Sequence, residues 1–328
     1  MRKTRRKTLN SRKWLSIFGT GIFVLLVLFL WQGKAILNKK IIKNENKING
    51  LMMLIEFERI EGIQQWEKEL DNRGITALVN VQASILKKYP EVFRRLASKG
   101  YEVAGGYDEA PFWDMPYKEQ YRHMKESKDF IEKLVGKKIR VFGSRYFAYD
   151  ENTLKAADAL GIEYVLGRGT RDIEAIIYAP KEYKVKVISV SNVDVGDPMG
   201  RGSLCDYSLW ARGADAAEFG KIVEENIAKK PTNMILVSHA YLGGTRLEWW
   251  KEYLKALSNP QVSWRGFDKW ISAQLTISLP NVKIPLNREV KYGTPKPAKP
   301  IEDYEPIPEL GIKEDTSKAT PETGSVCQ

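Results

Sequence analysis

The sequence predicts an α/β domain of barrel-like type, preceded by one transmembrane helix. Two observations carry the domain. Short apolar runs alternate with helical patterns across roughly residues 49–286, and the helices between strands are ten or more residues long. Such spacing argues for parallel strands joined by right-handed crossovers. A third observation, an uncharged apolar run at residues 14–31, predicts the membrane helix.

The elements follow in chain order. Residues 1–13 hold seven Lys and Arg and no acid, a basic head expected to stay in the cytoplasm. Residues 14–31 carry no charge, and at 1.5 Å per residue span about 27 Å, close to a bilayer's hydrocarbon thickness. Trp14 and Trp31 close its ends, where indole rings favour the headgroup boundary. No small-x-small cleavage site follows, so the run reads as an uncleaved signal anchor that places the rest outside the cytoplasm. A polar, Lys- and Asn-rich stalk occupies residues 32–48.

Within the domain, strands are predicted at 51–57, 76–81, 101–104, 140–142, 164–166, 185–190 and 234–238. Helices are predicted after the first strand, running through Trp66 to about Asp71, then at 86–98, 116–134, 151–160, 214–229 and 247–257. Residues 287–328 collect Pro, Lys, Glu and Thr, a composition that buries little apolar surface, so most of this tail is expected to be disordered or extended.

The formal charge of +11 is not a nucleic-acid signature. Seven of those charges lie in the basic head, leaving +4 for residues 14–328. Cys205 and Cys327 are too few for a disulfide framework or a thiolate metal site and read as two free thiols, with a single bridge between them the alternative.

In parallel α/β folds the chemistry sits in loops at the C-terminal ends of strands. Those loops supply Glu56 and Glu58, Asp108 and Glu109, Arg145 and Tyr146, and His239. Convergent acids, a histidine and aromatic rings suit carbohydrate chemistry. Each residue alone reads more readily as a solvated loop charge. His239 is either a proton donor or a structural remnant at a strand end, and Asp194, Asp197 or Asp206 could orient it. Phe112, Trp113, Tyr117, Tyr146, Phe147, Tyr149 and Trp210 are available either to stack on sugars or to pack helices on the sheet.

The order and spacing of LIEFERIEG, GITALVNV, LASKGYEVAGGYDEA, the segment 146–167 with YDENTLKAADALGIEYVLG, and ILVSHAYLGG resemble the polysaccharide deacetylase family (NodB homology, carbohydrate esterase family 4) over about residues 50–275. The resemblance implies a distorted (β/α) barrel. It also implies a divalent metal held by an acid and two histidines, for hydrolysis of an N-acetyl amide. Glu58 occupies the position of the family's base, and Arg59 stands where the metal-binding acid belongs. The metal histidines fall on Gly106 and Ala110, and the motif arginine falls on Gly143, with Arg145 two residues on. Only His239 matches in type and place. A hydrolytic metal needs about three protein ligands, so the expected metal site is absent. An all-oxygen replacement from Glu56, Glu58, Asp108 and Glu109 is the remaining way to rebuild it.

The expected site is therefore Glu58 and His239 as catalytic residues, with Asp108, Arg145 and Tyr146 binding substrate. The expected partners are a cell-surface glycan or peptidoglycan and the membrane, without nucleic acid. Three functions remain open: an active deacetylase, a non-catalytic glycan- or wall-binding protein, and a metal-free glycoside hydrolase using paired carboxylates.

Overall fold

A computed structural model describes residues 47–113, 115–169, 173–194, 200–280 and 297–308. The chain divides into two compact units, residues 1–47 and 48–328. The basic head, the apolar run at 14–31 and nearly all of the stalk lie outside the described residues, as do Asp197 and Cys327. No helix among the described residues is long and apolar enough to cross a membrane.

The second unit is organised around one sheet whose first strand has partners on both sides. Strand β1 (Ile48–Glu56) pairs in parallel with β2 (Leu78–Gln82) on one side and with β10 (Asn233–His239) on the other. The early part of β1 also pairs with the short β11 (Val262–Trp264). From β2 the sheet continues in parallel through β3 (Glu102–Tyr107), β4 (Val141–Ser144), β5 (Tyr164–Gly167) and β7 (Lys186–Ser189). There β6 (Ile176–Pro180) joins antiparallel, followed by β12 (Thr276–Leu279). A separate hairpin pairs β8 (Asn192–Asp194) with β9 (Arg201–Ser203).

Burial on both faces explains why the strands read as continuous apolar runs rather than alternating ones. Leu51, Met53 and Ile55 of β1 share one cluster with Leu78, Ala104, Val141, Leu166, Ile188, Ile235 and Val237. Met52 and Leu54 point the other way, into a second cluster with Val79, Val81, Val103, Phe142, Val165 and Val187 that the helices cover. Helix α1 (Ile63–Asn72) lays Ile63, Trp66 and Leu70 on that face. The Trp66 ring lies 4.9 Å from both Trp250 and Tyr253 of a later helix, in edge-on geometry.

The free edge of β10 is closed by loops rather than by a strand. Ala175 N–H donates to the Asn233 carbonyl at 3.0 Å, Ile235 N–H to Ser191 Oγ at 2.9 Å, and Val237 N–H to the Leu204 carbonyl at 3.0 Å. An exposed edge would be a template for association. Here the sheet curls into an incomplete barrel whose last edge is capped.

The structure corrects two expectations. The helix expected at 86–98 is two helices, α2 (Ala83–Lys88) and α3 (Pro90–Ser98). Pro90 lacks an N–H and restricts Tyr89, so the chain restarts with Pro in the first turn. The longer helices fall within a few residues of their expected bounds: α4 (Tyr117–Val135), α5 (Glu151–Leu160), then, after the short α6 (Asp206–Trp210), α7 (Ala216–Ala228). Asp150 caps α5 by accepting from Thr153 N–H at 3.0 Å, and Gly161 ends it at φ 68°. A short turn, α8 (Ala240–Gly243), leaves β10, followed by α9 (Leu247–Ser258) and α10 (Phe267–Ser272).

The second correction concerns the tail. Residues 297–308, expected within a disordered or extended stretch, pack on the domain as a strap. Ile301, Tyr304 and Ile307 are buried. Leu247 N–H donates to the Glu305 carbonyl at 2.7 Å, Ile307 N–H to the Thr245 carbonyl at 2.9 Å, and Trp210 Nε1 to the Lys299 carbonyl at 2.9 Å. Three apolar side chains spaced three apart are enough to dock a short segment despite its polar composition.

Candidate functional site

The parallel register gathers the site at the C-terminal ends of β1, β3, β4 and β10. Ile55 is the backbone partner of His239, so the chain leaving β1 carries Glu58 to the imidazole. Glu58 Oε2 lies 3.3 Å from His239 Nδ1. Asp206, at the start of α6, accepts from the His239 backbone N–H at 2.9 Å, from Ser238 Oγ at 2.7 Å and from Tyr207 N–H at 2.7 Å. Of the aspartates considered as orienters, Asp197 falls outside the described residues and Asp206 lies beside His239. It fixes the backbone there. Asp194 is exposed on β8 near Arg201.

His239 is wedged in place. It is 1% exposed, and its ring stacks on Tyr207 at 4.8 Å and meets Tyr241 edge-on at 6.0 Å. Burial pulls its pKa down, but the charge of Glu58 and hydrogen bonding to Cys205 and Glu58 outweigh this, holding the imidazole well above its usual range. The Cys205 thiol is buried and donates to Asp206 Oδ1 at 3.5 Å.

Three acids here are pushed the other way. Glu56 is fully buried, with neither carboxylate oxygen hydrogen-bonded. Burial first and the Glu58 charge second raise it well above the usual carboxylate range. Burial also raises Asp206, against the opposing pull of His239 and its hydrogen bonds. Asp108 is pushed up to about 7, by burial and then by Glu58, with Arg145 and His239 opposing.

Asp108, Arg145 and Tyr146 form the second half of the site. Arg145 Nη1 donates to the Asp108 carbonyl at 3.1 Å and its guanidinium lies 5.0 Å from the Tyr146 ring. Tyr146 and Phe147 both take positive φ, 62° and 52°, a conformation costing of order 1–3 kcal/mol each. The surroundings enforce it. Phe147 is buried, its carbonyl accepts from Arg168 N–H at 3.0 Å, and Ser144 Oγ donates to the Ala148 carbonyl. The turn turns Tyr146 toward Trp113, 6.5 Å between ring centroids, leaving both rings partly exposed. Of the other aromatic candidates, Phe112, Phe147 and Tyr149 are buried core, whereas Tyr117 packs near Tyr121. Glu109 is exposed beside Tyr107.

The structure thus brings Glu58 and His239 into contact and groups Asp108, Arg145 and Tyr146 next to them. Sequence reasoning passed over Cys205 and Tyr207 as neighbours of His239. Their signal was their place, flanking Asp206 immediately before a helix.

The residues present do not fit the expected metal. Among the described residues no group of three or more His, Cys, Asp or Glu is placed to hold an ion. More telling is the filled space. At Gly106, where the first metal histidine belongs, a Cβ would collide with Phe57 Cε1 and stand 3.0 Å from the Val81 backbone carbon and oxygen. At Gly143, in the motif arginine's place, it would meet Asn80 Nδ2 at 2.6 Å and Leu166 Cδ1 at 2.8 Å. The Arg59 guanidinium, in place of the metal-binding acid, lies 5.4 Å from the Tyr241 ring.

A curled parallel sheet with its site at these strand ends is the polysaccharide deacetylase architecture. The sequence model of that family, polysaccharide deacetylase, matches residues 62–165, a span that contains Asp108, Arg145 and Tyr146 but neither Glu58 nor His239. The second unit shares the fold of polysaccharide deacetylases. Among solved structures it is similar to one described as a polysaccharide deacetylase from Mycobacterium smegmatis, at 12% identity and TM-score 0.54, covering 71% of this chain and 94% of that one. A second, from Pseudomonas aeruginosa PAO1 and described in the same terms, gives 15% identity and TM-score 0.53 over 70% and 92%. An allantoinase shares the fold at 13% identity and TM-score 0.53, over 70% and 90%. No curated sequence matches the chain significantly.

Proposed function

We propose that the chain is a membrane-anchored, extracytoplasmic protein whose deacetylase-type cleft binds cell-surface glycan, peptidoglycan included, without metal-dependent deacetylation. The observation that carries this reading is the repacked metal position: Phe57 occupies the space a histidine at residue 106 would need, and Arg59 replaces the acid. The partly exposed Trp113 and Tyr146 rings beside Arg145 and Asp108 supply faces and hydrogen-bonding groups that suit pyranose rings. The basic head and the apolar run at 14–31 support the location.

Acetate release from acetylated chito-oligosaccharides and peptidoglycan, with and without zinc, cobalt or manganese, tests the reading alongside binding of the same polymers. Saturable binding with no release is expected. Metal-dependent release would overturn it. Retention in membranes after carbonate washing is expected, and a shortened soluble form would refute the anchor.

A second reading rests on Asp108. A carboxyl pushed up to about 7 near an acid paired with His239 separates an acid from a base, as glycoside hydrolysis requires. Release of reducing ends, abolished in Asp108→Asn, would favour it over simple binding.

A further inference from the structure

Arg59 is a cation without an acid. Glu58 beside it in sequence is engaged with His239, and no hydrogen bond or ion pair involves the Arg59 side chain among the described residues. Its guanidinium lies against Tyr241, 5.4 Å from the ring centroid, and Tyr241 in turn stands edge-on to His239. The residue is only half-buried. One face of the guanidinium is thus covered by an aromatic ring, while its N–H edge has no acceptor among the described residues. A stacked guanidinium with open donors is pre-organised for two parallel hydrogen bonds to a planar oxyanion.

We propose that Arg59 is an anion-recognising residue of the cleft, and that the glycan it takes carries carboxylate or phosphate groups. The inference rests on the glycan-binding reading and specifies its ligand. The surrounding charge is mixed. Arg145 and the protonated His239 add to the attraction. Glu58, Glu61, Asp206 and Asp108 oppose it, with Glu58 already engaged by the imidazole. Recognition therefore depends on the local fork rather than on a positive field, and the preference for an anionic glycan should be moderate.

The test uses the full-length protein in detergent and three ligands of one backbone: chitopentaose, its carboxymethylated form and its 6-phosphorylated form, with affinities from titration calorimetry. One of the anionic forms should bind about tenfold tighter than the neutral oligomer, as charge-assisted bidentate pairing allows, and which one names the substituent. Arg59→Gln should bring that preference to within about twofold, and Arg59→Lys should restore it in part. Equal affinity for all three, or a preference that survives Arg59→Gln, overturns the inference and leaves the glycan-binding reading standing. Binding of none of the three overturns both.

Discussion

Substituting Gly106 tests whether the metal position is closed rather than merely stripped of its ligand. In Gly106→Ala the new methyl collides with the Phe57 ring and lies 3.0 Å from backbone atoms of Val81. Carbon atoms rest at about 3.5–4.0 Å. The Val81 backbone is fixed in β2, and the Phe57 ring is 4% exposed within the interior cluster, so neither yields without repacking. Inserting one carbon into such a site costs about 1–3 kcal/mol. Gly106→His should cost more and gain no zinc affinity. Phe57→Ala removes one of the two obstacles, so the cost of Gly106→Ala should shrink in that background by about 0.5 kcal/mol or more, a coupling expected of residues in contact. Urea unfolding followed by tryptophan fluorescence measures all four corners of the cycle. A Gly106→Ala variant as stable as the parent, or strictly additive effects, would show that the position has room and would remove the main argument against a metal.

Asp108 gives a pH signature. Its pKa is about 7 when folded, against about 3.9 unfolded. The folded state therefore holds the proton more tightly, and the resulting stabilisation is complete below about pH 4 and lost as pH rises through 7. Asp108→Asn should shrink the fall in urea midpoint across that range without abolishing it, since Glu56 and Asp206 are raised as well. Tyr304→Ala, which empties a buried contact against Trp249, should cost about 3 kcal/mol, or about 6–12 °C in Tm for a domain of this size. A change under about 2 °C would show that the strap does not hold. His239→Ala should lower stability by about 2 kcal/mol or more, because its ring is buried between Glu58 and Tyr207. An unaltered unfolding curve would restore a purely chemical role.

Much of the sheet was legible because its parallel strands are short apolar runs separated by amphipathic helices, as with LMMLI in β1 and MILVS in β10. The strands passed over lack that signal. The run IIYAP of β6 ends in proline and pairs antiparallel, and β8, β9 and β11 are three residues each. The strap was hidden because composition averages over its three docking side chains. At the site, Glu58 beside His239 was readable from strand-end placement, since parallel register brings such ends together. Neither the burial of Glu56 nor the ring beneath Arg59 is written in local sequence, because each depends on partners about 180 residues away.

The pairing of β1 with strands on both sides has a consequence for biosynthesis. Its Asn49 bonds to Asn233, 184 residues later, and its early backbone pairs with β11 beyond that. A ribosome delivers the N-terminal part first, so a nascent chain ending near residue 200 holds β2 through β7 beside a β1 with one naked flank. Assembly must wait for the last third of the chain, and long-range pairing of this kind is slow and exposes sticky edges meanwhile. A premature stop before β10 should therefore yield aggregate rather than a smaller working protein, and the growing chain should depend on a chaperone that shields β1 until its late neighbours arrive.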